Sequence, residues 1–198
     1  EDLTADYGDV TYSAKFFDSQ RNPLAKGEYV SFAIDNDAYR TQVGENGVAT
    51  IDINKNAGNY TIIITNTVTG ERKENKLKIN PVATVTTLTG AQNVTAGTQV
   101  TLIAEVNATE GSVIFNVNGQ DTTVNLTDGK ATMNLTDLTK GNYTVTATYN
   151  DPNGNYITSS ASASFEVTKT ATILTANDLT LYLGGEGILT ITLTDSSS

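Results

Sequence analysis

Apolar and polar residues alternate in short runs along most of the chain. The first run places Val10, Tyr12, Ala14 and Phe16 on one side. Comparable runs follow at Val30–Ile34, Ala49–Ile53, Tyr60–Ile64, Val100–Val106, Val113–Val117, Ala131–Leu135, Tyr143–Tyr149 and Phe165–Val167. A period of two predicts half-buried antiparallel strands, and no stretch has the spacing of an amphipathic helix. The pattern therefore predicts an all-β chain.

Turn-forming residues separate the apolar runs. Asn46-Gly47, Asn118-Gly119 and Asp128-Gly129 accept positive φ at low cost, as tight hairpin loops require, and Asp151–Gly154 is a similar turn sequence. Short strands with turns at roughly ten-residue spacing are typical of a β-sandwich. We therefore predict immunoglobulin-like (Ig-like) sandwiches.

One unit of sequence occurs twice. The segment "NGVATIDINKNAGNYTIIIT" at 46–65 aligns with "DGKATMNLTDLTKGNYTVTAT" at 128–148. The aligned tyrosines, Tyr60 and Tyr143, are about 83 residues apart, which suits tandem sandwiches of ~100 residues or fewer. We predict one Ig-like domain over residues 1–80, a second over 81–168, and a partial third repeat over 169–198, present as a strand hairpin or a donor tail.

The repeated tyrosines have a predicted structural role. Tyr60 and Tyr143 each follow Gly-Asn at the start of an apolar run. This is the place of a tyrosine corner, in which the ring packs in the core and the hydroxyl returns to upstream backbone.

The stretch "DSQRNPLAKGEYVSFAIDNDAYRTQVGENGVATIDINKNAGNYTIII" at 18–64 resembles the bacterial Ig-like (Big) repeats of adhesin-like cell-surface proteins, although Asn22 replaces the usual glycine. "ANDLT" from Ala176, matched by Asp2-Leu3-Thr4, is most similar to such proteins of methanogenic archaea. The resemblance implies an Ig-like fold and an extracellular, cell-surface location. It does not distinguish stalks and spacers from ligand-binding heads.

Composition narrows the classes of function. Twelve basic against 22 acidic residues give a net charge of −10, which disfavours nucleic acid as a partner. Without cysteine or histidine there are no disulfides, thiolate metal sites or Cys/His nucleophiles, so we predict no enzyme activity and no cofactor. No apolar stretch reaches the length of a membrane span. The chain begins at Glu1 and is interpreted as a mature or excised segment.

Several candidate sites have simpler interpretations. Asp35-Asn36-Asp37 and the Asp151–Asn155 segment resemble calcium-chelating loops, but both are better explained as hairpin turns, so no metal site is predicted. A Lys15–Asn80 isopeptide crosslink is disfavoured because Lys15 should point outward. Candidate N-glycosylation sequons occur at Asn59, Asn93, Asn107, Asn125, Asn134 and Asn142, of which Asn93 and Asn107 are preferred.

The C-terminal segment holds two apolar runs, Ile173–Leu183 and Gly187–Leu193, that a lone hairpin cannot bury. Either the chain is cut from a longer array, or these strands are donated to another subunit. The first hypothesis is therefore a non-enzymatic stalk, spacer or adhesion module that meets a host or neighbouring cell-surface protein or glycan. The alternatives are a pilus-like filament subunit that self-associates through 169–198, and an accessory glycan-binding module using Tyr29, Tyr39 and Tyr156.

Overall fold

The computed structural model describes residues 1–181 and 183–195, with Asp195 described by its backbone alone. Over this part of the chain the structure consists of strands, loops and one short 3-10 turn at Glu45–Gly47. The prediction of an all-β chain is confirmed. The strands are β1 Leu3–Asp6, β2 Val10–Lys15, β3 Tyr29–Ile34, β4 Asp37–Gln42, β5 Val48–Ile53, β6 Gly58–Asn66, β7 Arg72–Asn80, β8 Thr86–Thr89, β9 Val94–Thr95, β10 Val100–Val106, β11 Ser112–Val117, β12 Gln120–Asn125, β13 Lys130–Leu135, β14 Gly141–Asn150, β15 Ser160–Thr168, β16 Thr172–Ala176 and β17 Ile191–Asp195.

Contacts divide the chain into two units. Unit 1 comprises Glu1–Val85 and Tyr149–Ser159, and unit 2 comprises Thr86–Thr148 and Ser160–Ser198. The segment Tyr149–Ser159, which the predicted division 1–80, 81–168 and 169–198 leaves in the second domain, thus groups with the first. The predicted tail also includes Tyr182 and residues 196–198, which lie outside the described residues.

Unit 1 is a two-layer sandwich. One sheet has the order β1-β7-β6-β3-β4 and the other pairs β2 with β5. The alternating residues face inward: Phe32 and Ile34 of the larger sheet are buried, as are Tyr12 of β2 and Phe16 directly after it. Tyr12 and Phe16 each meet the ring of Phe32 edge-on, at centroid distances of 6.1 and 5.9 Å.

Unit 2 repeats this plan. One sheet has the order β12-β11-β14-β15-β9 and the other has the order β13-β10-β8. Leu102, Phe115 and Val145 form part of its fully buried interior. The tandem Ig-like sandwiches predicted from alternation and turns are therefore confirmed.

The two units correspond position by position. The β2–β5 pair has the same register as the β10–β13 pair, since Ala14 faces Ala49 and Ala104 faces Ala131. The equivalence extends along both pairs, matching Val10 with Val100, Tyr12 with Leu102, Ile51 with Met133 and Ile53 with Leu135.

Two further strands, which the contacts group with unit 2, follow β15. Strands β16 and β17 form an antiparallel pair, here called the tail hairpin, in which Leu174 faces Leu193. In unit 2, Leu88 of β8 faces Ala104 of β10 in the same way. The side chains of Leu174 and Leu193 are 67% and 65% exposed, whereas Ala104 is buried.

The buried polar turn between β14 and β15 belongs to unit 1. Asn155 is 1% exposed; its Oδ1 accepts the Ala57 N–H at 2.8 Å and its Nδ2 donates to Asn56 Oδ1 at 3.1 Å. The Asn155 carbonyl accepts the Val82 N–H at 2.8 Å. These bonds provide partners for the buried amide of Asn155.

Among the described residues there is no helix with the length and apolar character needed to cross a membrane.

Candidate functional site

The first and last strands of unit 1 lie side by side and run in parallel. Strand β1 pairs with β7 in a four-residue register from Leu3 opposite Leu77 to Asp6 opposite Asn80. Side chains extend this pairing at both ends. Asp2 Oδ1 accepts the Lys76 N–H at 2.7 Å, and Asn80 Nδ2 donates to Asp6 Oδ1 at 3.2 Å.

Unit 2 has the same arrangement in shorter form. Strand β9 pairs in parallel with the end of β15, with Val94 opposite Val167. The Ala96 N–H donates to the Thr168 carbonyl at 2.9 Å, and Asn93 Oδ1 accepts the Glu166 N–H at 2.8 Å. We call the β1–β7 and β9–β15 pairs the terminal-strand clamps.

One short motif begins each clamp. Asp2-Leu3-Thr4 and Asn93-Val94-Thr95 both place an Asp or Asn side-chain oxygen on a backbone N–H of the last strand. Asp178-Leu179-Thr180 repeats the motif in the tail. This explains why the two ends of the chain share a sequence. The alternation of apolar and polar residues does not reveal the second copy of this motif. From the sequence alone, Asn93 is recognised only as a candidate glycosylation site.

The clamps have a defined mechanical consequence. When tension is applied through the two ends of a unit, parallel neighbouring strands are pulled in opposite directions along their length. Their inter-strand hydrogen bonds are then loaded together in shear, whereas strands pulled apart from one end break their bonds one after another. Because the bonds run between the strands, simultaneous loading makes the pair resist extension.

The predicted corner tyrosines make equivalent hydrogen bonds. The Tyr60 hydroxyl donates to the Asn56 carbonyl at 2.8 Å, and the Tyr143 hydroxyl donates to the Thr139 carbonyl at 3.0 Å. Both side chains are half-buried at the margin of their cores rather than central. Tyr143 also stacks on Phe165, with centroids 5.2 Å apart.

The asparagines of all six sequons are exposed: Asn59, Asn93, Asn107, Asn125, Asn134 and Asn142. In two of these asparagines the side-chain oxygen accepts a hydrogen bond. Asn93 accepts the Glu166 N–H, and Asn134 accepts the Thr101 hydroxyl at 2.8 Å. Glycosylation at these positions stays a prediction.

A lysine from outside the acidic β3–β4 turn contacts the carboxylates of that turn. Lys55 Nζ lies 2.7 Å from a carboxylate oxygen of Asp37 and 3.8 Å from one of Asp35. The hydrogen bond to Asp37 is the main cause that raises the pKa of Lys55. A cation of the chain itself thus neutralises the carboxylates that resembled a calcium loop.

The second segment that resembles a calcium-binding loop is a turn whose own backbone N–H groups bond to its aspartate. Asp151 accepts the Asn153 N–H on Oδ1 at 2.9 Å, and the N–H groups of Asn155 and Tyr156 on Oδ2 at 2.7 and 3.0 Å. Across residues 1–181 and 183–194, no cluster of three or more acidic side chains is arranged to hold a metal ion.

The two residues considered for an isopeptide crosslink, Lys15 and Asn80, each contact other groups. Lys15 is exposed, with Nζ 5.4 Å from the Phe17 ring centre, and Asn80 donates its amide to Asp6. No isopeptide arrangement is proposed.

The candidate sugar-binding tyrosines are also engaged. Tyr29 has the Arg40 guanidinium 4.1 Å from its ring centre. Tyr156 contacts the ring of Tyr7 edge-on at 5.6 Å, and Tyr39 is half-buried. A flat aromatic surface open to a sugar is therefore not formed by Tyr29 or Tyr156.

Comparisons with known proteins give similarities to solved structures and to one family model. A crystal structure of a tetra-tandem repeat in the extending region of a large adhesion protein is 20% identical, with a TM-score of 0.44, over 88% of this chain and 51% of that chain. A Ca²⁺-stabilised adhesin with which an Antarctic bacterium reaches out and binds ice is 18% identical, with a TM-score of 0.30, over 86% and 47%. A Dscam structure solved for isoform specificity is 14% identical, with a TM-score of 0.39, over 84% and 43%.

The chain thus spans about half the length of these solved chains. No curated protein sequence matches it. The family model of the bacterial Ig-like domain (group 3) matches residues 85–170. The predicted resemblance to bacterial Ig-like repeats is confirmed, whereas the likeness to archaeal proteins stays a prediction.

Proposed function

We propose that this chain is a segment of an extracellular, adhesin-like cell-surface protein, where it acts as a non-enzymatic spacer that bears tension. The match of residues 85–170 to a bacterial Ig-like domain supports the adhesin-like class. The observation that carries the mechanical role is the presence of a terminal-strand clamp in both units.

The surface partner in this proposal is a protein or glycan of a host or neighbouring cell. It would be held by a part of the full protein that the spacer carries away from its own surface. The excess of acidic residues keeps strongly anionic partners away at low salt.

Stretching single molecules through the two ends tests the spacer role. We expect one discrete unfolding event for each unit. Each event should release roughly 30 nm of chain, because about 85 residues extend by 3.3–3.6 Å each. Smooth extension with no discrete events would contradict the proposal.

A filament subunit is the second candidate, and the tail hairpin favours it. Leu174, Ile191 and Leu193 are 50% or more exposed, and they lie in a two-stranded sheet that cannot bury them. Light scattering and negative-stain microscopy compare the chain with a version ending at Thr168. Oligomers that disappear on truncation would support a filament, and monomers in both samples would reject it.

A further inference from the structure

A segment encoded in the middle of the second repeat is built into unit 1. Strands β14 and β15 are neighbours in the larger sheet of unit 2. The connection between them nevertheless belongs to unit 1, together with the last two residues of β14, Tyr149 and Asn150. The chain therefore leaves unit 2 after Thr148, contributes to unit 1, and returns to unit 2 at Ser160. We call Tyr149–Ser159 the strap.

The equivalent connection of the first repeat is shorter and stays within its own unit. Residues 67–71 connect β6 with β7, whereas residues 151–159 connect β14 with β15. Asn66 stands where the second repeat has Tyr149, and its Nδ2 donates to the Phe17 carbonyl at 2.8 Å. Because unit 1 forms its sheet with the short connection, the sandwich fold does not require the longer one.

Asn155 anchors the strap through hydrogen bonds that join distant parts of the sequence. Its side-chain bonds to the Ala57 N–H and to Asn56 Oδ1 span 98 and 99 residues. Val82 holds the strap backbone on both sides of Tyr156: its N–H donates to the Asn155 carbonyl and its carbonyl accepts the Ile157 N–H, each at 2.8 Å. Removing the Asn155 side chain would take the acceptor from the Ala57 N–H.

Aromatic rings add to these hydrogen bonds. Tyr149 is fully buried, and its ring meets that of Tyr156 edge-on with centroids 6.5 Å apart. Tyr156 in turn meets Tyr7, which directly follows β1, edge-on at 5.6 Å. Edge-to-face pairs of this kind stabilise a packed arrangement beyond the area that they bury. The strap is thus held in unit 1 by both polar and aromatic contacts.

The strap is also held in shape by its own turn and by the strands at its two ends. The Asp151 carboxylate accepts three N–H groups of the strap, and the Tyr149 N–H donates to the Ser159 carbonyl at 2.8 Å. Beyond these residues, β14 and β15 pair from Thr148 opposite Ser160 to Gly141 opposite Val167. A segment that is already ordered loses little conformational entropy on binding. Unfolding of β14 and β15 would release both ends and make binding of the strap more costly.

We propose that the strap couples the stabilities of the two units, so that unit 1 reaches its full stability only while folded unit 2 presents the strap. The coupling is reciprocal, because the contacts that the strap makes in unit 1 also favour the folded state of β14 and β15. This inference concerns the folding equilibrium and is independent of the tension-bearing role.

Hydrogen exchange followed by mass spectrometry on the full chain tests the anchor. It reports β3 and β6 of unit 1 separately from β10 and β11 of unit 2. We expect Asn155→Ala to speed the slowest exchange in unit 1 by about tenfold, because a partly buried N–H loses its acceptor. The control is Asn153→Ala, at an exposed asparagine of the same turn, which should change this rate by less than about twofold. Acceleration confined to unit 2, or equal acceleration by both variants, would overturn the proposal.

A substitution in the core of unit 2 tests the coupling itself. Phe115 is fully buried there, so Phe115→Ala lowers the urea concentration at which unit 2 unfolds. Where unit 2 has unfolded in this variant but not in wild type, the slowest amides of unit 1 should exchange several-fold faster in the variant. A variant whose unit 2 is unfolded without urea serves equally, because unit 1 is the part that is measured.

The double variant separates the strap from other effects of unfolding unit 2. When Asn155→Ala is already present, Phe115→Ala should change the exchange of unit 1 much less, because the strap is already weakened. Exchange in unit 1 that does not respond to the unfolding of unit 2 would overturn the proposal. An equally large response with and without Asn155→Ala would exclude the Asn155 anchor as its cause, and would overturn it too.

Discussion

Asp2 and Asn93 perform the same task at equivalent places in two repeats. Each side-chain oxygen accepts a backbone N–H of the last strand, from Lys76 in unit 1 and from Glu166 in unit 2. The partners are 74 and 73 residues apart in sequence, so no local pattern could predict the bonds. The corner tyrosines, by contrast, bond a carbonyl four residues away, which is why their place can be predicted from the sequence.

Replacing Asp2 tests the first clamp. We expect Asp2→Ala to lower the free energy of unfolding of unit 1 by about 1 kcal/mol, because the Lys76 N–H loses its acceptor. Asp2→Asn, which keeps an oxygen like that of Asn93, should retain most of this stability. Urea unfolding measures the change. The control is Asp9→Ala, at an exposed position outside the clamp; an equal loss there would remove the clamp as the cause.

Tyr12 makes the stability of unit 1 depend on pH. Burial is the main cause that raises the pKa of Tyr12 above 10.0; the charges of Asp2 and Glu1 add to the rise, and the hydrogen bond from Asn75 opposes it. The folded state therefore holds the hydroxyl proton more tightly than the unfolded state does. This contribution is complete below the unfolded pKa and is lost as the pH rises from there through the folded pKa.

Unfolding in urea between about pH 8 and pH 11 checks this prediction. The free energy of unfolding of wild type should fall more steeply with pH than that of Tyr12→Phe. At pH 8 the variant should already be less stable, by about 1–3 kcal/mol, because the buried Asn75 amide loses its partner. Parallel pH profiles for the two proteins would contradict the assignment.

At the level of strands, apolar alternation predicts most of the elements but little of their pairing. It locates β2, β10 and β14 because each has one face in a core. It cannot show that β1 and β9 run parallel to last strands, since these elements are short and half-exposed.

The turn between β8 and β9 depends on Gly90. We expect Gly90→Ala to destabilise unit 2 by more than about 3 kcal/mol, because its Cβ would meet the Thr101 carbonyl oxygen and the backbone cannot easily shift. Gly97→Ala is the matched control, with a similar φ of +84° but open space at the Cβ position. It should cost only about 1 kcal/mol. Equal losses in thermal or urea unfolding would refute a steric role for Gly90.

The tail hairpin and its counterpart in unit 2 give a second matched pair. Leu102 is fully buried, whereas Ile191, at the equivalent position of β17, is 58% exposed. Leu102→Ala should cost about 2–5 kcal/mol in the unfolding of unit 2. Ile191→Ala should change the stability of the unassembled chain by less than about 0.5 kcal/mol. A large loss from Ile191→Ala in dilute monomer would show that the tail packs within its own chain.

At the scale of the whole molecule, composition disfavours certain classes of function, and the proposed mechanical role depends on the fold. The net charge of −10 argues against nucleic-acid binding, and the lack of cysteine and histidine argues against Cys/His catalysis. The tension-bearing role that we propose rests instead on the order in which strands lie side by side. That order arises only when residues far apart in sequence meet, so the clamps belong to the fold and to no local stretch of sequence.

The most direct measurement compares two pulling directions on unit 1. Pairs of cysteine anchors, Glu1→Cys with Pro81→Cys or Glu1→Cys with Val68→Cys, are placed at exposed positions of the cysteine-free chain. The first pair loads the β1–β7 clamp in shear. The second pair has both anchors toward the same end of β1 and β7, and therefore separates them one hydrogen bond at a time. We predict a clearly higher unfolding force for the first pair. An equal or lower force would contradict the claim that parallel terminal strands make this chain a tension-bearing spacer.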